Sequence, residues 1–180
     1  PLWERVGATE VDVAPDNPNI VLAATSNGIL RSSDGGDHWS TTTGIPANVA
    51  ISLIGMAPGG VAYARVDGRL YRTTDSGLSW SQATTITGTF ISALTQGQTV
   101  YVSSTNAAYR SVDGGASWSF LFQGSGRFAA DETGVYFSSQ YGVTRSVDGG
   151  NSWNGIGSLT GFGSTGVQLD PGVRGRVMMT

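Results

Sequence analysis

The sequence predicts an all-β fold, a β-propeller of four-stranded antiparallel blades, with about five blades represented: four complete and one split or partial. Three observations carry this expectation. Gly, Ser and Thr supply 67 of the 180 residues and charged residues only 13%, where an average globular chain has roughly 25% charged residues. That composition suits short strands and tight turns rather than long helices. Four stretches can be laid over one another: SSDGGDHW (32–39), TTDSGLSW (73–80), SVDGGASW (111–118) and SVDGGNSW (146–153). Their Asp residues stand 41, 38 and 35 residues apart, a period of propeller blades or helical arrays, and the strand-like composition selects the blade. Finally, the segments between the boxes alternate apolar and polar residues with a period of two.

Each repeat supplies four strands, A to D. In strand A, Val11 and Val13 before Ala14-Pro15 match Ile54 and Met56 before Ala57-Pro58, and Val167 and Leu169 before Asp170-Pro171. The residues between them, Asp12, Gly55 and Gln168, mark the opposite face. Strand B carries a column of large residues, Leu22, Tyr63, Tyr101 and Tyr136, each 12 residues before its box Asp and each inside a run rich in Val, Ala or Tyr. Such runs, bounded by Gly, Asn and Ser, read as buried strands. Strand C ends in the box and strand D starts at its Trp. The B-to-box spacing is constant, so length varies only from each Trp to the next column residue, by 24, 21 and 18 residues.

These spacings divide the chain into 1–7, strand D of a preceding or closing blade; 8–44, 45–85, 86–123 and 124–158, four blades; and 159–180, strands A and B of a fifth without its box. Trp3 fits the first piece, standing 36 residues before Trp39. The two end pieces could meet in a closure that hides edge strands. The missing fifth box favours instead a segment of a larger propeller, completed by missing sequence or a second chain. The start, Pro1-Leu2-Trp3 with no Met or signal-like segment, reads as a processed or excised piece of a longer precursor.

Asp followed by Gly-Gly or Ser-Gly asks for a tight turn, because Gly takes positive φ freely and a carboxylate accepts hydrogen bonds from amides two or three residues on. The Trp then packs back over the hairpin. Asp34, Gly36 and Trp39, Asp75, Gly77 and Trp80, Asp113, Gly115 and Trp118, and Asp148, Gly150 and Trp153 are therefore assigned as structural turn locks. A cation site is the weaker reading, since single carboxylates in separate blades do not converge on one ion, and only Asp34 with Asp37 offers two acids in one loop. No metal and no cofactor is expected. The Arg preceding each box (Arg31, Arg72, Arg110, Arg145) is given a structural task, lying over a Trp or tying a strand end to a carboxylate, ahead of a ligand-binding role. His38, inside a box, reads as a surface residue rather than a base or ligand.

All ten basic residues are Arg and the net charge is −3, so no polybasic tract serves nucleic acid or anionic lipid. No apolar run approaches the roughly 18 residues of a membrane span. With no Cys, disulfides, thiolate metal sites and a cysteine nucleophile are excluded. Low charge, abundant hydroxyls and no Lys suggest an exported protein, extracellular or periplasmic.

The boxes, above all RSVDGGASW and RSVDGGNSW, resemble the Asp-box (BNR) repeat of sialidases, xyloglucan-degrading endoglucanases, sortilin-type receptors and photosystem II assembly factors. The resemblance covers almost the whole chain. It implies a propeller with the box on the C-to-D hairpin, at the blade periphery and away from any ligand site, but it implies no single function. The arginine triad, Tyr and Glu pair and FRIP-like motif of sialidases are not legible here, and the two catalytic Asp residues of the much longer endoglucanases cannot be carried over.

In a propeller, the A-to-B and C-to-D turns share one face and the B-to-C and D-to-A connections the other, so the boxes mark the face opposite the variable connections. Those connections run from Thr43 to Ala50, Thr84 to Phe90, Leu121 to Arg127 and Gly155 to Ser164. Variable loops on a rigid scaffold are the usual place for recognition. Phe122, Arg127 and Phe162, with Asp67, Asn106 and Tyr141 from B-to-C turns, are the candidate contact set. Asp12 joins them as an inner-strand acid that could line a central channel. A glycosidase needs two facing acids, and no pair is evident among Glu10, Asp12, Asp67, Asp131 and Glu132. The leading expectation is a non-catalytic module binding a protein or carbohydrate partner. The alternatives are a fragment of a secreted glycoside hydrolase and a purely structural module of an extracellular assembly.

Overall fold

The computed structural model describes residues 7–83, 85–157, 167–169 and 177–179. Among them every regular element is a strand. The first blade is formed by β1 (Glu10–Ala14), β2 (Asn17–Thr25), β3 (Gly28–Ser32) and β4 (Ser40–Thr41), and the second by β5 (Ile51–Ala57), β6 (Val61–Val66), β7 (Arg69–Thr73) and β8 (Ser81–Gln82). The third holds β9 (Phe90–Gln96), β10 (Thr99–Ser104), β11 (Ala107–Ser111) and β12 (Ser119–Gln123). The fourth holds β13 (Gly126–Asp131), β14 (Gly134–Ser139), β15 (Gly142–Ser146) and β16 (Asn154–Gly157). Each sheet is an antiparallel meander in chain order, and a further pair joins β17 (Val167–Leu169) to β18 (Val177–Met179). This is the all-β blade architecture the repeats predict. Two compact units, Pro1–Ile86 and Thr87–Thr180, hold two complete blades each. Trp3 and Phe162 lie outside the described residues.

The column defines the register of every blade. Leu22, Tyr63, Tyr101 and Tyr136 pair across to Arg31, Arg72, Arg110 and Arg145 on one side. On the other side they pair to Asp12, Gly55, Leu94 and Ala129 of the inner strand. All four column residues are fully buried. Desolvation of this kind raises the ionisation point of the Tyr101 phenol. The register also explains the tight B-to-C turns: Asp67 has φ +49° ahead of Gly68 at +74°, the positive pair that a two-residue hairpin loop requires.

Apolar side chains gather between neighbouring sheets. In the first unit Leu22 and Ile29 pack with Ala62, Ala64, Tyr71 and Trp80, so the two blades share one core. In the second unit the shared core is aromatic, with Phe128 and Phe137 at 4.7 Å, Tyr101 and Phe128 at 5.5 Å, and Phe122 on Phe137 at 4.8 Å and on Trp153 at 5.5 Å between ring centroids. Edge-to-face and tilted pairs at these distances add to the burial term. Phe122 thus belongs to this core. The expectation of a connection from Leu121 to Arg127 is corrected here: β12 runs to Gln123 and β13 begins at Gly126, because the Phe-Leu-Phe run has a buried side to fill. Similarly Phe90 opens β9, and Gly155 lies within β16.

Candidate functional site

The box turns are built identically in all four blades. The leading hydroxyl donates to the Asp carboxylate, Ser32 to Asp34 at 2.8 Å, Thr73 to Asp75 at 2.6 Å, Ser111 to Asp113 at 2.6 Å and Ser146 to Asp148 at 2.8 Å. The same oxygen accepts the amide of the second box Gly or its equivalent, at Gly36, Gly77, Gly115 and Gly150. The residue before the Trp closes the circuit. Its backbone N–H and its side chain both reach the carboxylate, through Ser79, Ser117 and Ser152 in three blades and His38 in the first. His38 is exposed, as expected, yet its Nδ1 stands 2.7 Å from Asp34.

Donors converging on the charged form hold these carboxyls below the ordinary value. The backbone N–H of His38 acts first on Asp34, and the hydroxyls of Ser111 and Ser152 act first on Asp113 and Asp148. For Asp75, partial burial opposes the shift, but bonds from Ser79 and Thr73 prevail and bring it to about 2. The Trp indoles divide. Trp39 and Trp153 donate Nε1 to Gly36 and Gly150 carbonyls at 2.8 and 3.2 Å, whereas Trp80 sinks into the first unit's core.

The boxes also join neighbouring blades. Arg31 donates from Nε to the Ser76 carbonyl of the next box at 2.8 Å, and Arg110 donates to Asn151 of the next box at 2.7 Å. Arg145 lies over the Tyr136 ring at 5.6 Å. Arg31 and Arg110 therefore reach the following box and Arg145 its own Tyr, rather than a Trp face or a carboxylate. Gly77 and Gly150 meet the preceding column from the other side. A Cβ at Gly150 would lie 2.9 Å from the Tyr101 ring, and one at Gly77 would collide with Leu22.

Asp12 has an employment the sequence did not show. Its Oδ1 accepts the N–H of Val13 at 2.9 Å and its Oδ2 the N–H of Met56 at 2.7 Å, so one carboxylate bridges the inner strands β1 and β5. Glu10 accepts from Leu53 at 2.6 Å and Asp16 from Gly59 at 2.7 Å. Three acids of the first blade thus cap edge amides of the second, where a sheet would otherwise present unpaired donors. Asp12→Ala is expected to lower stability by about 1–3 kcal/mol, because it leaves two amides without acceptors. Urea denaturation would measure this, and a loss below a few tenths of a kcal/mol would contradict the bridge.

Two clefts open at the ends of the strands away from the boxes. The larger, about 630 Å³, lies within the first unit between the B-to-C turn of the first blade (Thr25, Ser26, Asn27), the chain entering β1 (Gly7, Thr9) and the chain entering β5 (Asn48 to Ile51). Among the described residues no ionisable side chain lines it. Asn48, at φ +59°, is a strained non-Gly residue at its wall. The smaller, about 330 Å³, lies within the second unit and is lined by Ile91, Ser125 to Arg127 and Ser138 to Gln140.

The predicted contact residues separate. Arg127 lines the smaller cleft, and Tyr141, 77% exposed, sits beside Gln140 in the turn that walls it. Asp67 sits on the second blade's B-to-C turn and donates its N–H to the carbonyl of Ala50, a wall residue of the larger cleft. Asn106 holds the third blade's turn through Ser104 and Gly124. Asn27 and Asn48 were missed. The available signal was the Ser26-Asn27 pair, which occupies the B-to-C position of Asp67-Gly68. Among the described residues no three His, Cys, Asp or Glu side chains are grouped to hold a metal ion, and no helix is long and apolar enough to cross a membrane.

No family model matches the chain. Over 76 residues, 42% of the chain, it is 30% identical to a xyloglucanase of a Paenibacillus species, a stretch that spans 7% of that protein. Among solved structures, an ancestral GH74 enzyme aligns with 93% of the chain at a TM-score of 0.66 and 18% identity, the chain covering 26% of it. YCF48 bound to a D1 peptide aligns with 97% at a TM-score of 0.61 and 18% identity, the chain covering 60% of it. The chain spans less than two thirds of each of these proteins. At such identities the likeness establishes the β-propeller fold.

Proposed function

We propose that the chain is a non-catalytic module of Asp-box repeats, exported from the cell, that binds a protein or carbohydrate partner through the face opposite the boxes. The observation that carries this reading is the larger cleft, whose wall, among the described residues, is made of hydroxyls, amides and short apolar side chains that offer hydrogen bonds without charge. Such a wall suits an uncharged chain, either a glycan or an extended peptide. Among the described residues the inner-strand acids are Glu10, Asp12 and Asp131, and all three carboxylates accept backbone amides.

A second reading, a segment of a glycoside hydrolase, draws on the sequence identity to a xyloglucanase. The protein-binding variant draws on the likeness to a propeller bound to a peptide. Calorimetric titration with neutral oligosaccharides, run beside a panel of chromogenic glycosides, separates these readings. Saturable binding without turnover is the expected result, weakened by Asn27→Ala. Turnover would sink the non-catalytic reading, and absence of any ligand on a glycan and peptide array would favour a purely structural module.

A further inference from the structure

We propose that the outer edge of the third blade, strand β12, is a docking edge that takes an extended apolar peptide segment of a partner protein as a fifth strand. The strand ends its sheet and, among the described residues, is hydrogen-bonded only to β11. Its far side therefore presents alternating N–H and C=O groups, the template that strand addition uses. Native sheets guard such edges with charge, proline or brevity. The edge strands of the first two blades are two residues long. Strand β12 has five residues, Ser119-Phe120-Leu121-Phe122-Gln123, with neither charge nor proline, and a bulge at Leu121 divides its ladder into two stretches. The fourth blade's edge, β16, has four residues and is likewise uncharged.

The register locates the contact. Opposite the middle residue of strand C stand Thr41, paired with Leu30, and Gln82, paired with Tyr71. The same place in the third blade, paired with Tyr109, is held by Phe120, and its ring is 58% exposed. Tyr109 meets that ring edge-on at 6.2 Å and holds it in place. A large, exposed apolar side chain thus stands where two polar ones stand in the first two blades and Gly155 in the fourth, preorganised for a cross-strand neighbour.

Edge length selects the occupant. A five-residue strand buries far less than the roughly 1,000 Å² a stable dimer needs, but it matches the span of a short extended peptide. The peptide is recognised by its main chain beside the stretches that flank the Leu121 bulge and by one apolar or aromatic side chain facing Phe120. This edge is separate from both clefts, so the inference stands whether or not the loop face binds a ligand.

The test is selection of a displayed library of random seven-residue peptides on the full 180-residue chain, followed by fluorescence polarisation with the enriched peptides. Enrichment of uncharged peptides with alternating apolar residues is expected. Phe120→Thr, the residue found at position 41, should weaken their binding about tenfold, and N-methylation of alternate peptide amides should abolish it. Circular dichroism melting of Phe120→Thr shows that the variant remains folded. Phe120→Lys provides a second variant with the same expected loss. Absence of enrichment, or equal affinity for the parent chain and both variants, would overturn the proposal. A concentration-dependent dimer in analytical ultracentrifugation, lost in Phe120→Thr, would make a second copy the occupant and overturn the peptide assignment.

Discussion

Gly77→Ala is expected to destabilise the chain by roughly 2–5 kcal/mol, the sum of a left-handed backbone penalty of about 1–2 kcal/mol and an overpacking cost of about 1–3 kcal/mol. The first contribution follows from φ +85° at Gly77. The second arises because the added methyl group would run into the Leu22 side chain of the preceding blade. Gly35 separates the two effects: at φ +76°, an added Cβ there meets nothing within 4 Å. Gly35→Ala should therefore show the backbone penalty alone. Truncating the obstacle in the double variant Gly77→Ala/Leu22→Ala should recover part of the excess, giving a coupling energy of about 0.5–3 kcal/mol between neighbours. Urea midpoints at unchanged slope would measure all three. Equal losses at Gly35 and Gly77 would show that the second box glycine serves turn geometry only. Gly150→Ala is a second instance, with Tyr101 and Arg110 Cδ at 2.9 and 3.1 Å from the added carbon.

The same pair of glycines shows what a single sequence can and cannot disclose. Box spacing and the buried column are local regularities, so the strand order and the burial of Leu22, Tyr63, Tyr101 and Tyr136 followed from the residues alone. The reason a glycine is needed at position 77 is not local. It depends on Leu22, 55 positions earlier and in another blade. The Arg column was visible as a repeat, but its partners, Ser76 and Asn151, are set by how one blade lies on the next.

Candidate contact residues were less legible for a related reason. Asp12 alternates with two valines, which marks its face but not its acceptor role toward Met56, since edge capping depends on a strand 44 positions on. Phe122 was placed in a loop because the chain after Trp118 has no turn signal until Gly124, so nothing local reveals where strand D ends. The larger cleft joins Thr9, Asn27 and Asn48, three positions with no shared motif. Loop-face sites of this kind are assembled by the scaffold from residues that sequence spacing leaves apart.

Acid should unfold the chain through its boxes. In the folded state Asp34, Asp75, Asp113 and Asp148 all ionise below the ordinary carboxylate value of 3.8, with Asp75 at about 2. A carboxyl depressed in the native state contributes its stability fully above the unfolded value and loses it as pH falls toward the folded one. The melting temperature is therefore expected to be nearly level between about pH 7 and pH 5, then to fall from about pH 4 downward with no plateau before about pH 2. Four similar groups titrating over one window make the slope steep. Asp148→Asn removes one proton uptake site while keeping an acceptor for the Ser152 and Asn151 amides. It should lower stability at pH 7 and flatten the acid limb, so that variant and parent converge as the pH approaches 2. Thermal melts at half-unit pH steps would follow both proteins. Parallel acid limbs for Asp148→Asn and the parent would show that the box carboxylates do not set the acid stability of the fold.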